Sequence, residues 1–144
     1  MKIVSAILLF CMPLFLLAQP KVDVENAVRD YVDGFYYGDK SKIINSISPG
    51  LVKHGFYLAK NKEGYQSDTM TYRQCINYAA NVKKRGVSPN VEKFPKKIEV
   101  FDVLDKTASA KLTAWWGTDY LFLSNINGKW MVTHVLWQSV PASK

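Results

Sequence analysis

Read for its apolar and polar positions, the chain divides into a helical first half and a strand-rich second half. Val24, Ala27, Val28, Tyr31, Val32 and Phe35 recur at helical spacing and predict one apolar stripe, on a helix capped by Asp23 and ending near Tyr37 at Gly38. Asp39 is placed to cap a short second helix with Ile43, Ile44 and Ile47 inward, broken by Pro49-Gly50. Leu51 to Leu58 reads as a strand, and Lys60 to Thr69 as a polar loop. Thr71 and Gln74 have the spacing of a capping box for a third helix, with Cys75, Ile76, Ala79 and Val82 on its buried side. After a basic, Pro-containing connection, strands are expected over roughly 97–104, 108–116, 119–126 and 129–137. Helices followed by an antiparallel meander define an α+β domain, with the sheet curved over the helices.

The turns set a register for the last strands. Asn127-Gly128 is a two-residue hairpin signal that pairs Ile126 with Lys129, Leu123 with Val132, Leu121 with His134 and Asp119 with Leu136. One face then holds Asp119, Leu121, Leu123, Trp130, Val132, His134 and Leu136. The other holds Tyr120, Phe122, Met131, Val135 and Trp137. A turn at Gly117-Thr118 would pair Trp116 with Asp119 and add Ala110, Leu112, Ala114 and Trp116 to the first face, Trp115 to the second. On this register Asp119 and His134 are diagonal neighbours on the concave face. Trp115, Tyr120, Phe122, Met131, Val135 and Trp137 form an apolar outer face, the expected seam of a symmetric homodimer.

The first eighteen residues read differently. Lys2 precedes the apolar run Ile3–Leu17, and Ala18 stands before Gln19-Pro20, the pattern of a secretory signal peptide cleaved after Ala18. About fifteen apolar residues interrupted by Pro13 are too short to span roughly 30 Å of hydrocarbon. The expectation is an exported protein, periplasmic or secreted, with one domain over residues 19–144 and no stable membrane insertion after cleavage. Cys11 leaves with the leader, so Cys75 alone remains and no internal disulfide is expected. The net charge of +7 raises nucleic-acid binding. The lysines are dispersed, however, and without a nucleic-acid-binding motif they read as a solvated rim.

Several segments resemble a known family: Ser48 to Phe56, Asp102 to Lys111, the Thr118-Asp-Tyr-Leu-Phe-Leu run, and Asn127-Gly-Lys-Trp-Met-Val. Together they are similar to the putative lumazine-binding family of the nuclear transport factor 2-like superfamily, over about Val22 to Gln138. The resemblance implies a cone-shaped barrel, a curved sheet around three helices with a pocket between them, and frequent dimerisation through the sheet.

Within that frame the candidate chemistry is small. Superfamily enzymes use an acid or histidine in the cone to move protons beside a carbonyl, and a buried Asp119 with His134 would do so. The competing reading makes Asp119 a rim or turn residue and His134 a core histidine. Tyr31, Phe35, Trp116 and Trp130 are expected as core or pocket wall around Asp119 and His134, and His54 as a further candidate if it points inward with Val52 and Phe56. No metal or cofactor is expected, since the histidines and acids lack ligand spacing and no phosphate loop is present. Three functions follow: binding of a small apolar or aromatic molecule, a small lyase or isomerase acting through Asp119 and His134, or a module that docks a protein partner on the apolar sheet face.

Overall fold

The structure, a computed structural model, describes residues 14–60, 64–94 and 96–141, with side chains from Gln19 onward. The signal-peptide reading of residues 1–18 thus lies outside the described residues, apart from the backbone of residues 14–18. Three helices, α1 (Leu14–Tyr37), α2 (Lys40–Ser46) and α3 (Tyr72–Arg85), pack against a six-stranded sheet. The strands are β1 (Ile47–Leu58), β2 (Tyr65–Met70), β3 (Lys97–Val103), β4 (Thr107–Ala114), β5 (Gly117–Ile126) and β6 (Lys129–Gln138). Their order is β2-β1-β6-β5-β4-β3, curved and unclosed.

The apolar stripe of α1 is the centre of the core: Val24, Val28, Tyr31 and Val32 are fully buried. The helix begins at Leu14 and not at Asp23, because the preceding leucines and alanine favour helix and Pro20 removes only one backbone donor. Asp23 therefore does not cap it and instead accepts a hydrogen bond from Gln19 one turn back. Gly38, at φ +68°, ends α1 where its backbone meets α3, and a Cβ there would lie 2.3 Å from the Lys83 nitrogen. Asp39 caps α2 through the amides of Ser41 and Lys42, and Thr71 and Gln74 form the expected capping box. Ile43 and Ile47 are buried as predicted, whereas Ile44 is exposed.

Three features of the sheet depart from expectation. Tyr65 to Met70 forms an edge strand where a loop was expected, since its mostly exposed polar residues give no apolar alternation. β1 pairs with β6 in parallel, so the sheet is mixed and not wholly antiparallel. The β4–β5 turn also sits at Trp115-Trp116, pairing Ala114 with Gly117 and Leu112 with Asp119. This moves the register by an even number of residues, so Ala110, Leu112 and Ala114 keep the concave face that pattern reading assigns them.

Candidate functional site

Near the middle of β6 one residue is inserted into the ladder with β5. Leu123 still pairs with Val132, but Phe122 pairs with His134, leaving Thr133 as a bulge. The Thr133 hydroxyl donates to the Phe122 carbonyl at 3.1 Å and stands 3.1 Å from His134 Nδ1. One extra residue in a period-two strand exchanges the faces of everything beyond it. Val135 and Trp137 therefore turn into the cone, while His134 and Leu136 turn out.

The expected Asp119–His134 pair is accordingly not formed: Asp119 is fully buried and His134 is exposed on the opposite face. What meets Asp119 is Lys53. In β1, Leu51, Lys53 and Gly55 are buried, while Val52 and Phe56 are exposed and His54 shares their outward phase. His54 thus does not enter the cone, and it packs edge-on against Phe56 at 5.0 Å.

Around Asp119 the side chains form a closed set of hydrogen bonds. The Tyr31 hydroxyl donates to Oδ2 at 2.7 Å, and the Trp116 indole Nε1 donates to Oδ1 at 2.7 Å. Lys53 Nζ donates to the Tyr31 oxygen at 2.7 Å and lies 3.4 Å from Asp119 Oδ2. Both partners of this ion pair are almost out of solvent, with side-chain exposures of 7 % and 0 %. Burial, reinforced by the Asp119 charge, holds the Tyr31 phenol well above its ordinary range, so it stays a donor. Burial likewise pushes the nearby Cys75 thiol up to about 11, which keeps it protonated and unreactive.

Aromatic rings fix this network from the helix side. Phe35 meets Tyr31, Tyr78 and Trp116 edge-on at 5.0, 5.7 and 5.8 Å. Tyr36 packs on Trp116 at 5.7 Å and accepts a hydrogen bond from the Trp115 amide. Lys53 Nζ lies over the Tyr31, Phe35 and Trp137 rings at 5.4 to 5.8 Å, each a cation–π distance.

Beside this network opens a cavity of about 240 Å³. Phe35, Tyr78, Trp115, Trp116, Trp137 and Met70 supply apolar walls, with Lys53 and Asp68 the charged lining residues. The volume falls below the roughly 300–1,000 Å³ of drug-sized pockets, which suits a compact molecule. Gly55 makes one wall possible. A Cβ at that position would stand 2.3 Å from the Trp137 indole, so only glycine lets this ring lie against β1.

Of the predicted site residues, Tyr31, Phe35, Trp116 and Asp119 come together at this site, while Trp130 and His134 do not. Trp130 is buried at the other end of the core, beside a shallow acidic depression with Asp23, Asp30 and Lys129. Among the expected outer-face residues, Tyr120 and Phe122 are exposed on the outer face and Met131 is half-buried. Trp115 sits in the β4–β5 turn and lines the cavity, Val135 is core, and Trp137 is a cavity wall. Among the described residues no cluster of histidine, cysteine and acid side chains is arranged for a metal.

Helices cradled by a curved, unclosed sheet, with a small aromatic pocket between them, give an α+β fold like that of nuclear transport factor 2-like proteins. The model of the Putative lumazine-binding family matches residues 19–138, and the chain belongs to that family. A nuclear transport factor 2-like protein of unknown function from Shewanella baltica is similar at TM-score 0.61 and 16 % identity, covering 87 % of this chain and 97 % of its own. Another from Silicibacter pomeroyi gives 0.62 and 12 %, with coverage of 86 % and 98 %. A ketosteroid isomerase-like protein from Erwinia carotovora atroseptica gives 0.54 and 13 %, with coverage of 84 % and 96 %. No curated protein matches the sequence.

Proposed function

We propose that this domain binds a compact, flat, largely apolar molecule in the cavity between α1, α3 and the sheet, with a polar atom of the ligand resting on Lys53. The observation that carries the reading is a set of aromatic walls with one buried, Asp119-paired lysine among the lining residues. Rings stack or meet edge-on against such walls, and the ammonium orients the molecule by a single charge-assisted hydrogen bond. The lyase or isomerase alternative loses its acid–base pair, because His134 lies on the far side of the sheet. A thermal-shift screen of small aromatic compounds tests the reading. Hits should stabilise the wild type and lose their effect in Lys53→Met, whereas hits that persist there would place binding elsewhere.

The outer sheet face supports a second copy of the chain as partner. Val52, Phe56, Tyr120, Phe122 and Leu136 are 39 % to 58 % exposed, with His54 and His134 among them. Large apolar side chains grouped on one exposed face are the kind of patch that marks an interface. The flanking Glu99–Lys111 pair, 3.6 Å apart, presents both signs together, so a two-fold copy meets opposite charge.

The N-terminal pattern supports export, with cleavage after Ala18 and the mature domain starting at Gln19. N-terminal sequencing of protein recovered outside the cytoplasm checks this: Gln19 as the first residue supports it, and an intact Met1 contradicts it.

A further inference from the structure

We infer that the end of α3, the loop that follows it and the β4–β5 turn together form a surface that docks reversibly on an anionic lipid bilayer. This interaction is separate from cavity binding and does not depend on what the cavity holds.

The first observation is charge. Between Lys83 and Phe94 stand Lys83, Lys84, Arg85 and Lys93 against the single acid Glu92, all of them exposed. Among the described residues none of these four cations is in an ion pair. Lys96 and Lys97, just beyond, are matched by Asp33 and Glu99.

The second is apolar exposure in the same place. Val87 is 74 % exposed, Val91 37 % and Phe94 39 %. Trp115, 39 % exposed, stands beside them, because the Phe94 carbonyl accepts from the Tyr36 hydroxyl at 3.2 Å while the Trp115 amide donates to it at 3.0 Å. The loop and the turn are therefore neighbours. Trp115 also lines the cavity, as does Tyr78, whose ring centre lies 5.9 Å from the Arg85 guanidinium. Arg85 and Trp115 thus border one cavity, which ties the end of α3 to the same face.

Cations in the last turn of a helix are explained by its dipole. The dipole gives no reason for Lys93, or for Val87, Val91 and Phe94 left in water. A bilayer gives a reason for both. Its anionic headgroups attract the four cations, and the apolar side chains reach the acyl boundary. The loop backbone stays at headgroup level, since irregular chain has no place in hydrocarbon. A nucleic-acid duplex would engage the cations at its phosphates and leave the aliphatic side chains in water. Stable membrane attachment takes two signals, and this surface carries one of each kind.

The test is flotation of the chain from Gln19 onward, which keeps every buried core residue from Val24 on and omits the apolar run before it. Vesicles of phosphatidylcholine alone are compared with vesicles containing about a third phosphatidylglycerol. The protein should float with the anionic vesicles and not with the neutral ones, and rising salt should release it. Lys83→Gln with Lys84→Gln should lower the partition coefficient roughly thirtyfold. Val87→Ser with Val91→Ser should lower it roughly tenfold. All four side chains are exposed, so both variants should fold, which thermal melts check. A wild type that does not float, or that floats equally with both vesicles, overturns the inference. So does a Val87→Ser, Val91→Ser variant that floats like the wild type. Affinity for a DNA duplex equal to that for the anionic vesicles would reduce the surface to a general polyanion patch and overturn it as well. The cavity reading stands under each of these results.

Discussion

Lys53 Nζ and the Asp119 carboxylate meet 3.4 Å apart in the core and share the Tyr31 hydroxyl between them. Neither charge has enough water around it to stand alone, so each depends on the other. Removing one partner of a buried pair costs about 3–5 kcal/mol, whereas an apolar pair of similar volume is often tolerated. Lys53→Met and Asp119→Asn should each lower stability by about that amount, and Lys53→Met with Asp119→Leu by less than the two single losses together. Urea denaturation measures this, and losses that simply add would show that the two charges do not compensate each other.

Stability should also respond to pH at both ends of the range. Tyr31 is held above its ordinary range by burial and by Asp119, so the native state keeps a proton that the unfolded chain gives up near pH 10. Its contribution is complete below that pH and is lost as pH rises beyond it. Asp33 behaves oppositely. Burial alone would raise its carboxyl, but hydrogen bonds from Lys96 at 2.6 Å and Lys42 at 2.9 Å lower it. Its contribution is present above the unfolded value near pH 4 and is lost as pH falls below it. Thermal melts across pH should show both flanks, and Asp33→Asn should flatten the acid one at a cost of about 1–2 kcal/mol near neutrality. An acid flank unchanged by Asp33→Asn would contradict this assignment.

Gly55→Ala is predicted to act through Trp137 and not through the backbone. The added methyl would overlap the indole, so the ring, which is a wall of the cavity, must shift. We expect a destabilisation of about 1–3 kcal/mol from overpacking, with loss of any ligand that the wild type binds. A variant that melts and binds like the wild type would show that Trp137 is free to move aside.

The exposed outer face carries its own prediction. Size-exclusion chromatography with light scattering should give twice the monomer mass for the domain and a monomer for Phe122→Glu, which places a charge near the centre of the apolar patch. A wild type that stays monomeric at high concentration would remove the dimer.

Much of this architecture was legible in the chain. The stripe from Val24 to Phe35, the Thr71–Gln74 cap and the Asn127-Gly128 turn each have one physical solution, and each is found. The site was half legible. Asp119, Tyr31, Phe35 and Trp116 follow from inward phase, but His134 was misplaced because Val132 to Trp137 is apolar in both phases, which hides the bulge at Thr133. Lys53 is not among the residues that the pattern singles out. Its one signal was position, since it alternates with Leu51 and Gly55 on the phase opposite Val52 and Phe56. A lysine on the inward phase of a strand needs a buried acid as countercharge, and Asp119 is that acid.

The central claim, that a ligand enters the cavity at Lys53, is tested most directly on the indole N–H resonances of ¹⁵N-labelled protein. Four tryptophans are present, three of them at the cavity, while Trp130 lies at the opposite end of the core. Titration with a stabilising aromatic ligand should shift the signals of Trp115, Trp116 and Trp137 and leave Trp130 in place. A ligand that moves Trp130 alone, or none of the four, would contradict the account.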